Sequence, residues 1–484
     1  MTALPDGVVQ QTAMTALLLR SCWQLERLPE DLGRLTALVA LDLGDCMQLR
    51  ALPASLGQLH ALERLDLSRC ALLSTLPLLL GQLQALTALD LSACWLQPQE
   101  ILPVAQLTAL VALDLSQNKS LTELPADLGQ LRALQMLSLA CTPLSALPGA
   151  LGQLEALVQL DLSSCTSLTA LPGSVGQLTA LERLVLCDCT SLTALPDSIG
   201  GMTALSTLEM SYCAALTALP EALGQLPRLT TLQLDHSLGV LAGLPECIAT
   251  MGVPTSLSLS SLTALPDSVG RLAALHRLYL TGSQVRVLSE ALGQLVNLTE
   301  LHLCGCDKLS TLPASLGQLR ALQMLDIQAC HELRNLPASL GQLVSLTLLY
   351  CGHNDRLTAL PAAVGQLSAL QVLNCENSPN LLSLLATMGG LARLTELNAN
   401  DCNKLSCLPD TLGQCSALKI LQVRRCNTLT QLPESLGALS NLEVLDVTMC
   451  RSLSCLPDND QRVGACPLVH VWLLGVDCAA RIFG

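Results

Sequence analysis

The sequence predicts an α/β solenoid of about twenty stacked turns, each of about 24 residues and each contributing one parallel β-strand. Three observations predict it. The block LVQLDLSSCTSLTALPGSVGQLTAL, at Leu157–Leu181, returns with variations along nearly the whole chain. Within the block the apolar period changes from two, around QLDLS, to three, at Val175, Leu178 and Leu181. That is the pattern of a short strand followed by a helical or 3₁₀-like return. Finally, half of the residues are hydrophobic while only 1% are aromatic, so leucine and alanine fill one recurring slot. A single turn cannot bury its leucines alone, and stacking supplies the missing wall.

The Leu-Pro pair marks the register. It falls at Pro5, Pro29, Pro53 and Pro77, slips through Pro103, Pro125 and Pro148, and is regular again at Pro172, Pro196 and Pro220. Ser289 and Leu385 stand where proline is expected, while Pro313, Pro337, Pro361, Pro409, Pro433 and Pro457 keep the spacing. No Gly/Ser-rich or highly charged linker interrupts the array, so residues 1–484 read as one solenoid. Residues 1–13 form a partial first repeat and 458–484 a degenerate C-terminal capping repeat, with CPLVHVWLL as its strand. The chain starts inside a repeat, MTALP, which points to a segment of a longer protein. Irregular stretches at 95–103, 235–262 and 375–400 are where loops are expected to leave the regular stack.

In each strand xLxLx the leucines point inward and the x residues face out on the concave side, because side chains alternate. Stacked strands lie roughly 4.8 Å apart, so the x positions form lanes. The central lane is acidic in the first half: Asp42, Asp66, Asp90, Asp114 and Asp161. Neighbouring carboxylates repel by about 0.8 kcal/mol per pair even in bulk water. Arg64, beside Asp66, is expected to relieve one of them. The lane is then either a cation-attracting stripe or simply how this repeat is written. In the second half it is mixed, with Tyr279, His302 and Tyr350 in the lane and Arg183, Arg277, Glu300 and Arg424 in or beside it. Tyrosine and arginine are enriched at binding hot spots, which makes this group the candidate partner-binding surface.

Cys46, Cys70, Cys94, Cys165, Cys189, Cys213, Cys306, Cys330, Cys402, Cys426 and Cys450 share one repeat position with Cys22, and Asn118 and Asn354 take it in two turns. A column at repeat spacing reads as buried, reduced thiols that pack and hydrogen-bond turn to turn, rather than as disulfides. With no secretory signal at Met1–Pro5, a cytoplasmic location is expected.

A net charge of −14 disfavours nucleic acid and anionic membranes and favours a basic protein or peptide. No run of about 18 apolar residues predicts membrane insertion. Catalytic, metal and cofactor sites are not predicted. His302, Cys304 and Asp326 lie close on an open face without a pocket or oxyanion donors. The CxC pairs Cys187/Cys189 and Cys304/Cys306 alternate between faces, so their sulfurs diverge.

The consensus LxxLxLxxCxxLxxLPxxLGxLxxL resembles the leucine-rich repeat family, over nearly the whole chain. The resemblance implies a horseshoe with parallel strands on its concave face and asparagine or cysteine bonding the next turn. LTALPDSIGGM at 192–202 looks most like the repeats of plant intracellular disease-resistance receptors, and the pattern also resembles Ras-associated leucine-rich scaffolds. This implies a non-enzymatic module binding a protein or peptide on the concave face, in intracellular signalling or defence. The alternative is the recognition array of a larger receptor or ubiquitin-ligase-type protein whose effector domain is missing; a third is an array expanded under little selection.

Overall fold

The computed structural model describes residues 2–237, 248, 254–260 and 262–454, together with the backbone of 470–472. The chain divides into two compact units, Met1–Gly239 and Val240–Gly484.

In the first unit, ten strands run from Ala16–Leu18 to Thr231–Gln233, all parallel and each paired with the next turn in unbroken register. Each strand has three residues, and the pairing continues past it: the Leu43 amide donates to the Asp66 carbonyl at 2.8 Å and the Asp45 amide to the Ser68 carbonyl at 2.8 Å. The inward leucines of successive turns, such as Leu41, Leu65 and Leu89, are almost fully buried. Stacking therefore gives each turn the apolar contact it lacks alone.

The returns are short 3₁₀ helices. Pro53, at φ −66 and ψ 144, sets the entry into Ala54–Gln58, because its ring fixes φ near the required value. An α-helix does not fit a turn this short, so the helical half of the predicted repeat takes the tighter form. The glycine of the recurring Leu-Gly or Val-Gly pair is needed because consecutive returns touch. A Cβ on Gly176 would run into the Ser198 carbonyl. The 95–103 segment does not form a free loop. It folds as an extra 3₁₀ turn, Pro98–Ile101, that buries Leu96 and Ile101.

The second unit repeats the plan from Ser256–Ser258 to His470–Trp472, again parallel and in register. Ser289 replaces the usual proline by capping: its Oγ accepts the Ala291 amide at 2.9 Å. The 375–400 stretch keeps register, with Glu396–Asn398 paired on both sides. Most of 235–262 and of 458–484 lies outside the described residues, but the last repeat contributes the backbone of His470–Trp472, paired with Val444–Asp446. At the other end, Ala3 bridges Arg27 and Asp6–Gln10 forms a return.

The cysteine column joins the turns. Cys70 Sγ donates to the Leu43 carbonyl at 3.3 Å, Cys94 to Leu67 at 3.2 Å and Cys189 to Leu162 at 3.2 Å. Asn118 makes the stronger version, with Nδ2 donating at 2.8 Å to both the Leu91 and Leu115 carbonyls. Burial pushes the Cys94 thiol up to about 12.

Candidate recognition surface

Registry sets the central-lane residues of successive strands side by side, most of them partly exposed, with Val185, Ser258 and Asn398 buried. In the first unit Asp42, Asp66, Asp90 and Asp114 stand side by side on successive strands, with Asp161 two strands further on. All five are half-buried. Each aspartate turns one oxygen back on its own chain. Oδ1 of Asp66 accepts the Ser68 amide at 2.8 Å, Asp90 that of Ser92 at 2.9 Å and Asp114 that of Ser116 at 2.8 Å. Asn374 and Asn398 do the same for Glu376 and Asn400. The aspartate of LDLS thus satisfies the first outward amide past the strand, a structural role that the sequence pattern alone did not expose.

The expected relief by Arg64 does not occur. Among the described residues Arg64 makes no ion pair, because it sits in the first lane with its side chain exposed. Arg20 does it instead, from the third lane: Nε bonds Asp42 Oδ2 at 3.1 Å, Nη2 reaches Asp66, and Asp45 stands 3.7 Å from Nη1. Beyond it, burial raises the Asp90 carboxyl above its ordinary value, and the Asp114 and Asp66 charges add to this. Arg183 is also committed, to Glu209 at 2.7 Å.

In the second unit Tyr279 and His302 are register partners whose rings stack at 4.5 Å and 13°. Glu300 ties them together, its Oε2 lying 3.4 Å from Tyr279 Oη and 3.4 Å from His302 Nε2. His302 keeps 19% of its side chain exposed, and Arg277 lies exposed beside Tyr279 on the same face. Among the described residues neither ring caps an amide as aspartate does. Among the described residues the amides of Thr281 and Cys304 consequently have no acceptor. Tyr350 lies beyond Asp326, three strands from Tyr279, and Arg424 three strands further, its amide bonded to Asn400 Oδ1 at 2.7 Å. The structure therefore brings Arg277, Tyr279, Glu300 and His302 together and leaves Arg183, Tyr350 and Arg424 apart from them.

Cys304 stands two residues from His302, but burial and then the Asp326 charge hold its thiol above its ordinary value. That disfavours the thiolate a nucleophile needs. Among the described residues no group of three or more His, Cys, Asp or Glu is arranged to hold a metal, and no helix is long and apolar enough to cross a membrane. Sequence reasoning also missed an edge strip after the cysteine column, where Trp23 and Trp95 are 63% and 54% exposed. Their 72-residue separation, a multiple of the repeat, was the available signal.

Parallel strands, 3₁₀ returns and a cysteine–asparagine column define a leucine-rich repeat solenoid, and the chain belongs to that family. The profile described as a leucine-rich repeat region matches residues 74–211 and 290–405, and a single leucine-rich repeat matches 61–83. A search of the curated proteins found no match. Among solved structures the chain is similar to the leucine-rich repeat protein LIC12759 of Leptospira interrogans, at 32% identity and TM-score 0.61, covering 80% of this chain and 90% of that one. It is also similar to the plant peptide hormone receptor RGFR1, solved in complex with RGF2, at 22% identity and TM-score 0.57, covering 92% and 78%. The Drosophila Toll–Spatzle complex matches at 18% identity and TM-score 0.56, covering 86% and 56%. At 22% and 18% identity the likeness is one of fold.

Proposed function

We propose that this protein is a non-enzymatic recognition module that binds a protein or peptide on its strand-lined face, with Tyr279 and His302 as the centre of contact. The family is one of protein-interaction modules. The observation that carries the reading is the stacked Tyr279–His302 pair, locked by Glu300 on an outward lane where most turns place a small or capping residue. Two rigid rings give contact area at low entropic cost. The amides of Thr281 and Cys304 beside them suit a ligand carbonyl or carboxylate. The buried, hydrogen-bonded thiols fit a reducing compartment such as the cytoplasm, and a signalling or defence role follows only from the resemblance.

Capture of proteins by the intact chain is compared with capture by a Tyr279→Ala/His302→Ala variant. Loss of specific partners by the variant, with the fold unchanged by circular dichroism, is the expected result. An identical set of captured proteins rejects the assignment.

A further inference from the structure

The first unit holds a separate feature on its strand face: a trough of about 540 Å³ over the strands from Ala40–Asp42 to Gln159–Asp161. Between Arg64 at one end and Gln159 at the other its floor is low and apolar, because there the first lane carries Ala88, Ala112 and Met136. Its wall is the aspartate lane. We propose that this trough binds an extended cationic peptide segment, seating an arginine across Asp90 and Asp114 with an apolar neighbour on the alanine floor. The proposal deepens the recognition reading but uses a different unit and different residues, so the two fail independently.

The structure contains its own template for this contact. Arg20 lays one guanidinium across two successive lane carboxylates, Asp42 and Asp66. Two strands on, Asp90 and Asp114 repeat that pair in the same register, and among the described residues they and Asp161 have no cationic partner. Their Oδ1 atoms are taken by backbone amides, and at Asp90 the Ser92 side chain also bonds the carboxylate, so a guest meets Oδ2 of each beside these contacts. A planar guanidinium fits two carboxylates better than a point-like ammonium does. The apolar floor excludes a bare cation as the matching guest, since it would leave that floor uncovered.

Spacing constrains the guest further. Strands about 4.8 Å apart put Asp161 roughly 12 Å from the midpoint of Asp90 and Asp114. An extended chain rises about 3.3 Å per residue, so a second arginine four residues from the first reaches Asp161, with the residue midway facing the floor.

The test uses the full chain and a fluorescein-labelled peptide containing Arg-Ser-Leu-Ser-Arg, titrated by fluorescence anisotropy at low and high salt. The variant is Asp90→Asn/Asp114→Asn. Asparagine keeps the amide acceptor, as Asn374 and Asn398 do, so the fold is retained while the charge is lost. Saturable, salt-weakened binding that falls about tenfold or more in the variant, and is unchanged by Asp326→Asn, supports the site. Equal binding to the variant, no saturable binding, or equal binding of an Arg-Ser-Ser-Ser-Arg peptide overturns it. So does self-association of the chain that the variant abolishes, which would assign the trough to a second copy.

Discussion

Asn118→Ala is expected to cost about 4 kcal/mol. The Asn118 side chain is fully buried and donates at 2.8 Å to the Leu91 and Leu115 carbonyls, neither of which has another donor among the described residues. Alanine strands both acceptors in the core, and each unsatisfied buried group costs about 1–3 kcal/mol; a small cavity adds to this, while loss of the side chain's own buried, unbonded Oδ1 offsets a similar amount. Asn118→Cys should behave differently. In the cysteine turns the thiol reaches the carbonyl of the preceding strand, as Cys94 does to Leu67 at 3.2 Å, and the backbone amide covers the local one, as Cys46 does to Leu43 at 3.2 Å. The cysteine variant should therefore recover more than half of the loss, leaving about 1–2 kcal/mol because a thiol is the weaker donor. Urea unfolding followed by far-ultraviolet circular dichroism measures both, with the transition slope checked because a stacked array can unfold in parts. If the cysteine variant is as unstable as the alanine one, the column is packing alone and its hydrogen-bonding role is refuted.

The thiols make a second expectation. Burial raises Cys94 to about 12 and Cys46 to about 11, so between about pH 9 and those values the unfolded chain loses thiol protons that the folded one keeps. Stability must then fall as pH rises through that window, and flat urea midpoints there would contradict the buried column. Under native conditions Cys407, which is exposed, should react with a thiol reagent well before the column does; uniform rapid labelling would mean the turns are not stacked. Ala93, at φ 54, sits in the left-handed region, so Ala93→Gly should stabilise by up to about 1 kcal/mol in thermal unfolding. Gly176→Ala should cost about 1–3 kcal/mol, since its Cβ would meet the Ser198 carbonyl; a neutral result would show that the returns can separate freely.

The strand face was legible from sequence because a period of two leaves no freedom about which residues share a lane. Leu160 and Leu162 had to point inward, which placed Asp161 outward, and the same count put Tyr279 beside His302. What periodicity cannot report is how a side chain bends once it is on the face. Arg20 lies 22 and 46 residues from the aspartates it bridges, and only its reach across strands selects it over Arg64, the nearer neighbour in sequence. Glu300 between the two rings is the same kind of contact. The extra turn at Pro98–Ile101 escaped for another reason: its apolar residues match no repeat slot, so sequence spacing marked it as a loop although Ile101 finds a buried place.

The division of labour within each lane carboxylate has an evolutionary side. One oxygen holds the chain's exit from the strand while the other faces outward, and an amide side chain performs the first task equally well. The sign and pattern of charge along this wall can thus be rewritten one turn at a time by single-codon exchanges of aspartate for asparagine, with the coil beneath left undisturbed. A scaffold built this way is free to change customers without having to relearn how to fold.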